Sequence, residues 1–376
     1  MPEKLKAGII GFGFIGKVHA FGYHNLNYFH FPPPLNVELF GVCTGREQTA
    51  KKAKENFGFK IASTDYREII NHPEIDIINI CSPNHLHKEQ LIEAIKAKKH
   101  IYCDKPLVQN YEEAEEIEEL LESHDKTRQM TFHLRFYPAA LKAKMLIEEG
   151  SVGKIISFRF SYLHSGSVSP DRPMGWKQKK EFGGGTLNDL GSHAIDLCYH
   201  LLGDFREVSG ISRILYPERP DGKGGKEKVE AEDLVLINAR LKNGATGSIE
   251  ASKVATGAQD EFSFEIYGTE GALRYNSMNP NFLKFYNRSD PDEPAGGSAG
   301  FKDIVTVDRY PGTEKPFPGP KFSTGWLRGH TQCLYNFLRA IKEGKQASPS
   351  FHEGIYNMKV IEAVKRSEEE GRWVSV

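Results

Sequence analysis

No apolar stretch of the 376-residue chain approaches the roughly 20 residues needed to cross a bilayer, so a membrane-spanning helix is excluded. Cysteine is scarce. The five present (Cys43, Cys81, Cys103, Cys198 and Cys333) are odd in number and never form a Cys-x-x-Cys pair. That pattern excludes a disulfide framework and a thiolate zinc site, and predicts reduced thiols in a cytoplasmic protein. Neither sign of charge is in excess, with 49 Lys and Arg against 50 Asp and Glu, so neither a nucleic-acid nor an acidic-membrane partner is expected. The start, "MPEKLKAGIIGFG", lacks the pattern of a signal peptide and runs directly into a strand-like segment. No internal repeat is evident.

What remains is an ordinary globular composition, 39% apolar and 26% charged, in a chain long enough for two domains. Up to about residue 130, short apolar runs ("KAGIIG", "VELFGVC", "IDIINIC", "KHIYC") alternate with helical stretches near 16–27, 46–57, 85–98 and 110–124. Strands buried on both faces and joined by helices imply a parallel sheet. The acidic run "EEAEEIEEL" is the solvated face of a helix capped by Asn110. Beyond residue 150 the pattern becomes one of half-buried strands. "KIISFRFSYLH" alternates, "LVLINARLKNGATGSIEASKV" forms two strands around a two-residue Asn243-Gly244 loop, and "FSFEIYGTEGALRYN" forms another hairpin. Loops with one or two strands fill 277–325, and two amphipathic helices, 327–343 and 351–370, close the chain. The expected fold is α/β: a dinucleotide-binding domain over 1–130, then an α+β domain over 131–376 with a large, mostly antiparallel open sheet.

Directly after the first strand stands Gly11-x-Gly13-x-x-Gly16, opening the first helix with Phe14 and Ile15 inside the motif. Gly11 permits the tight turn, Gly13 lets backbone approach a pyrophosphate, and Gly16 allows close helix–strand packing. The helix N-terminus supplies N–H donors and a positive dipole end. The end of the second strand, "VCTGRE", has Thr44 where an NAD-binding domain carries a carboxylate, and Arg46 two residues on. A hydroxyl and a guanidinium accept a 2′-phosphate that an acid would repel, so the cofactor is NAD or NADP, with NADP slightly favoured. Stacking of Arg46 on the adenine of NAD is the alternative.

The stretch "GGGTLNDLGSHAIDLCYHLLGD" (183–204) carries Asp189, His193, Asp196 and His200 at i, i+4, i+7 and i+11, which stacks all four on one face of an ideal helix. A metal reading of this stripe is the minor one, since hydride transfer to nicotinamide needs no metal.

"SPNHLH" (82–87), "CDKPL" (103–107) and "GGGTLNDLGSHAID" (183–196), in that order after the glycine turn, resemble the Gfo/Idh/MocA family of nicotinamide enzymes, and the similarity runs through nearly the whole chain. "HSGSVSPDRPMGW" (164–176) is similar to members that oxidise cyclic polyols and anhydrosugars such as inositols or levoglucosan. The resemblance implies a catalytic Lys105 in Asp104-Lys105-Pro106, where the family has Glu-Lys-Pro, and a catalytic Asp189–His193 pair that also meets substrate. It further implies a small carbohydrate or polyol substrate and a homodimer or homotetramer built on the open sheet face.

On that reading His193 takes the hydroxyl proton, Asp189 holds its ring, and Lys105, which also touches the cofactor, hydrogen-bonds the reacting oxygen. Ser82, Pro83, Asn84 and His87 are placed at the cofactor, with helix capping the bland reading of His87. Arg135, Tyr137, Trp176 and Lys177 are placed at the substrate, with core or hinge roles open for Arg135 and Tyr137. Asp196 is a supporting partner or a helix–sheet tie, His200 is structural, His330 is a candidate for the pocket wall, and Cys103 is not a nucleophile. Two other functions are alternatives: glycoside cleavage through transient oxidation at C3 and elimination, and a dinucleotide-sensing regulator without catalysis, a kind that can lose the lysine or the Asp–His pair that this chain keeps.

Overall fold

The computed structural model describes residues 4–307, 309–310 and 317–376, which divide into two compact units. The first comprises the chain up to His133 together with Trp326–Met358. The helix Trp326–Glu343 therefore packs with the dinucleotide-binding unit, although an assignment by chain order put it in the second domain.

In the first unit, strands β1 (Leu5–Ile10), β2 (Val37–Cys43), β3 (Ile61–Ser63), β4 (Ile77–Ile80), β5 (His100–Cys103) and β6 (Arg128–Met130) form one sheet. The strands are all parallel, in the order β3-β2-β1-β4-β5-β6. Side chains of Ile9, Val42, Ile77, Ile80 and Ile101 are wholly buried, which explains the unbroken apolar runs. The order reverses between β1 and β4, and ligands of such sheets bind at the carboxyl ends of the strands beside that switch. The crossovers include α1 (Phe14–Phe29), α2 (Glu47–Phe57), α3 (Tyr66–Ile70), α4 (His87–Lys96) and α5 (Tyr111–Leu121). Asn110 caps α5 by accepting from the Glu113 N–H at 2.9 Å. The short β3, α3 and β6 were not legible in the sequence, because three to five residues are too few to set a period.

The second unit is built on a nine-stranded sheet among the described residues. Its pairings are antiparallel except where Thr246–Ser252 runs parallel to Ile155–Leu163. Leu234–Leu241 and Thr246–Ser252 form the expected hairpin, but its loop is longer than two residues. Leu241 N–H donates to the Ala245 carbonyl, leaving Lys242, Asn243 and Gly244 as a three-residue turn with Gly244 at φ +90°. The Asn243 side chain explains the choice: its amide donates to the Leu202 carbonyl at 2.8 Å and its oxygen accepts from Ala245 N–H at 3.0 Å. The loop thus ties off the helix Ser192–Leu202 instead of folding tightly on itself.

Candidate active site

The glycine turn has the shape its spacing predicts. Gly11 sits at φ +88°, and a β-carbon there would lie 2.5 Å from the Cys81 carbonyl oxygen. At Gly16 a β-carbon would meet the Gly11 carbonyl oxygen at 2.2 Å. A β-carbon on Gly13 would meet nothing within 4 Å, and no side chain caps the first turn of α1, which also holds no acid. The two outer glycines are thus required by close packing, and the middle one faces open space at bare N–H groups. That is a cradle for a pyrophosphate, and the residues fit a dinucleotide.

At the end of β2, the Thr44 hydroxyl donates to the Arg46 carbonyl at 2.9 Å and lies 2.6 Å from the Thr49 hydroxyl. In this arrangement the hydroxyl is engaged at the start of α2 and does not point a donor at a ribose phosphate. The exposed Arg46 is the group left to do so.

Beyond β4, the Ser82 hydroxyl donates to Gln90 Oε1 at 2.7 Å, Pro83 precedes a short helical turn over Asn84–Leu86, and Asn84 is buried. His87 is fully buried at the start of α4. Its Nε2 lies 2.9 Å from the Ser82 carbonyl, and its Nδ1 lies 3.0 and 3.2 Å from the carbonyls of Pro106 and Leu107. Burial lowers its pKa, partly offset by these carbonyls and by Asp104. His87 is therefore a brace between the two loops, not a group presented to the cofactor as the sequence suggested. Lys105 follows β5 at the carboxyl edge of the sheet, with the Lys105–Pro106 bond cis. Asp104, the departure from the family's Glu, accepts from the Thr131 hydroxyl at 2.6 Å and so anchors the residue before the lysine. Cys103 is a buried thiol whose pKa burial raises well above the ordinary value, as expected of an unreactive sulfur.

In the second unit the expected single helix is irregular. Leu187–Gly191 forms a wide π-type turn ahead of the α-helix Ser192–Leu202, so the four-residue stripe does not lie on one regular α-helical face. Ser192 contributes by donating its hydroxyl to the Asn188 carbonyl at 2.7 Å, and half-buried Glu232 accepts from the Leu187 N–H at 2.8 Å. Burial raises the Glu232 pKa against that hydrogen bond. Asp189, within the wide turn, receives two ammonium groups on Oδ2, Lys177 and Lys253, each at 2.7 Å. Lys253 was missed in the sequence because nothing local marks the end of a hairpin strand as part of a site.

His193 is buried, its ring centroid 5.8 Å from that of Tyr162, whose hydroxyl donates to Asp260 at 2.9 Å. Trp176 and Lys177 are half-buried, and the loop leading to them is pinned by Arg219. That guanidinium, fully buried, donates to the Ser167 and Ser169 carbonyls at 2.7 and 2.8 Å.

Arg135 and Asp196 form a buried pair. Arg135 Nε donates to Asp196 Oδ2 at 2.8 Å and Nη2 to Oδ1 at 2.5 Å, with both side chains at most 3% exposed. This corrects the placement of Arg135 at the substrate: it ties the chain entering the second unit to the central helix, and Asp196 is the tie on the helix side. Tyr137 is likewise buried, 6.4 Å from Tyr275 between ring centroids, as a core residue. The His200 carbonyl accepts from Lys144. Asp196→Ala leaves a guanidinium without its buried counter-charge and is expected to cost about 3–5 kcal/mol of stability. Chemical denaturation measures this, and Arg135→Met combined with Asp196→Leu should recover most of the loss.

Comparisons with known proteins agree with both units. The description "Oxidoreductase family, NAD-binding Rossmann fold" matches residues 5–132, and "Oxidoreductase family, C-terminal alpha/beta domain" matches 144–376. A levoglucosan dehydrogenase of Pseudarthrobacter phenanthrenivorans is 34% identical, over 100% of this chain and 98% of that protein. A solved levoglucosan dehydrogenase in complex with NADH and levoglucosan superposes with a TM-score of 0.94 at 34% identity, covering 100% of this chain and 99% of that one. A myo-inositol 2-dehydrogenase of Thermotoga maritima is 25% identical over 99% of this chain and 98% of its own length. With the glycine cradle, the lysine loop and the Asp–His helix in place, the chain belongs to the Gfo/Idh/MocA oxidoreductase family and is a dehydrogenase that uses a nicotinamide dinucleotide.

Proposed function

We propose that the protein transfers hydride from a ring secondary alcohol of an anhydrosugar, sugar or cyclic polyol of the levoglucosan or inositol type. The observation that carries this reading is full-length likeness to an anhydrosugar dehydrogenase, over a chain that keeps Lys105, Asp189 and His193. When bound, the nicotinamide supplies the hydride acceptor. The protein's part is proton transfer and charge. His193 removes the hydroxyl proton as the carbonyl forms. Lys105 donates a hydrogen bond to the reacting oxygen and stabilises its developing negative charge. Asp189, held as an anion by Lys177 and Lys253, favours the imidazolium formed on His193. Trp176 offers an aromatic face to the C–H side of a sugar ring, with Lys177 beside it to meet a hydroxyl.

We also place the protein in the cytoplasm, where its five buried thiols stay reduced, and as a homo-oligomer through the outer face of the large sheet. The paired Ile211 and Leu236 are exposed there, and Arg159 faces Glu265 at 3.1 Å. Among the described residues no helix is long and apolar enough to cross a membrane.

The test is a screen of 1,6-anhydrosugars, inositols and free sugars with NAD and NADP separately, following reduced cofactor at 340 nm. Absence of cofactor reduction with every one of these ring secondary alcohols, or bound cofactor recycled without net reduction, overturns the proposal. In the same assay Thr44→Asp, which adds a carboxylate facing the 2′ position, should raise the NAD/NADP ratio of kcat/KM by about tenfold or more, each tenfold being about 1.4 kcal/mol.

A further inference from the structure

Near the glycine turn the first unit keeps buried polar atoms that its own residues do not satisfy. His330 is 5% exposed, and its ring lies between two others: His133, stacked at 3.8 Å and 16°, and Trp326 at 4.2 Å. Neither ring nitrogen of His330 has a hydrogen-bond partner among the described residues, and neither does the buried indole nitrogen of Trp326. Native proteins seldom leave such groups unpaired unless a ligand or water completes them. A metal is not that ligand, because no three His, Cys, Asp or Glu side chains converge as a metal site among the described residues.

Position narrows the ligand. Trp326 and His330 share the first turns of the helix Trp326–Glu343, which packs along α1. The Trp326 ring meets Phe14, the exposed first residue of α1, at 5.6 Å. Lys105 belongs to the same unit, and its charge acts on His330. The unpaired atoms thus belong to a ring cluster that reaches the first residue of α1, beside the pyrophosphate cradle, in the unit that also carries Lys105. The indole N–H only donates, whereas a neutral imidazole has one donor and one acceptor nitrogen. Burial holds the His330 pKa well below the ordinary value, with His133, His19 and Lys105 adding to the effect, so its acceptor nitrogen stays available. A carboxamide is the complement of this pair, with one oxygen that accepts and an NH2 that donates.

We propose that Trp326 and His330 recognise the carboxamide of the bound nicotinamide, the indole N–H donating to its oxygen and the imidazole accepting from its NH2. The proposal rests on the placement of Lys105 at the nicotinamide argued above. It is tested by binding alone. Calorimetry would compare NAD, its 3-acetylpyridine analogue (a methyl ketone replacing the amide) and ADP-ribose, on the wild type, His330→Phe and Trp326→Phe.

The wild type should prefer NAD over the methyl ketone by about fivefold, the worth of one neutral hydrogen bond. His330→Phe should bring the two to parity, while Trp326→Phe weakens both alike. ADP-ribose should bind all three proteins equally. A preference for the amide that survives in His330→Phe overturns the proposal, as does a loss of ADP-ribose affinity that matches the loss for NAD. Failure of the wild type to bind ADP-ribose at all would instead remove the dinucleotide assignment. If the Phe variants do not fold, the wild type's own ranking decides, and no preference for the amide ends the proposal.

Discussion

Lys105→Ala is expected to lower kcat by about 10²–10³-fold or more, the cost of deleting one preorganised donor to a developing oxyanion, while Kd for the dinucleotide changes less than about threefold. The asymmetry follows from how the residue is held. The loop around it is fixed by other groups: Asp104 by the Thr131 hydroxyl, and the Pro106 and Leu107 carbonyls by His87, itself braced against Ser82. Removing the ammonium therefore takes away charge and a donor without releasing the loop. Lys105→Arg keeps the charge but spreads it over a planar fork, and should recover little. Calorimetric binding of NAD together with steady-state kinetics checks both parts. Loss of cofactor binding in proportion to loss of kcat would make Lys105 a cofactor anchor and not a catalytic group.

The sequence and the structure agree best where one local rule decides. The glycine turn was legible because its three positions each answer a backbone constraint, and the structure shows two as close approaches and the third as open space. The long strands of both units carried enough residues to show their period. The misplacements share a different cause. Arg135 seemed available to substrate because its partner Asp196 lies 61 residues away, on a helix that the sequence linked to it by no local signal. His87 seemed to face the cofactor because the carbonyls that enclose it belong to a loop 19 and 20 residues on. Thr44 does stand at the end of β2 as expected, but the local hydrogen bonds that occupy its hydroxyl were not foreseen. Lys253, Glu232 and Arg219 each act across distant parts of the chain, on Asp189, on the wide turn and on the loop before Trp176. No motif marks such residues, since their roles exist only once the sheet is folded.

His193→Ala should cost about 10²–10⁴-fold in kcat/KM, the range for loss of a positioned general base, and should abolish the acid limb of the pH profile for alcohol oxidation. The helix Ser192–Leu202 that carries the residue is anchored independently of the imidazole, by the Arg135–Asp196 pair and by Asn243 at its end. The variant should therefore fold, and its dinucleotide affinity should match the wild type because the cradle belongs to the other unit. His193→Gln retains a hydrogen-bonding side chain but takes up no proton near neutral pH, so it separates orientation from proton transfer. If His193 only orients substrate, Gln recovers most of kcat/KM; if it takes the proton, Gln is nearly as impaired as Ala and its rate rises with external hydroxide. Added imidazole should restore part of the Ala variant's rate, in proportion to its neutral fraction. A wild-type pH profile preserved in His193→Ala would move the base to another residue, and with it the account of why a carboxylate clasped by two lysines stands one turn before this histidine.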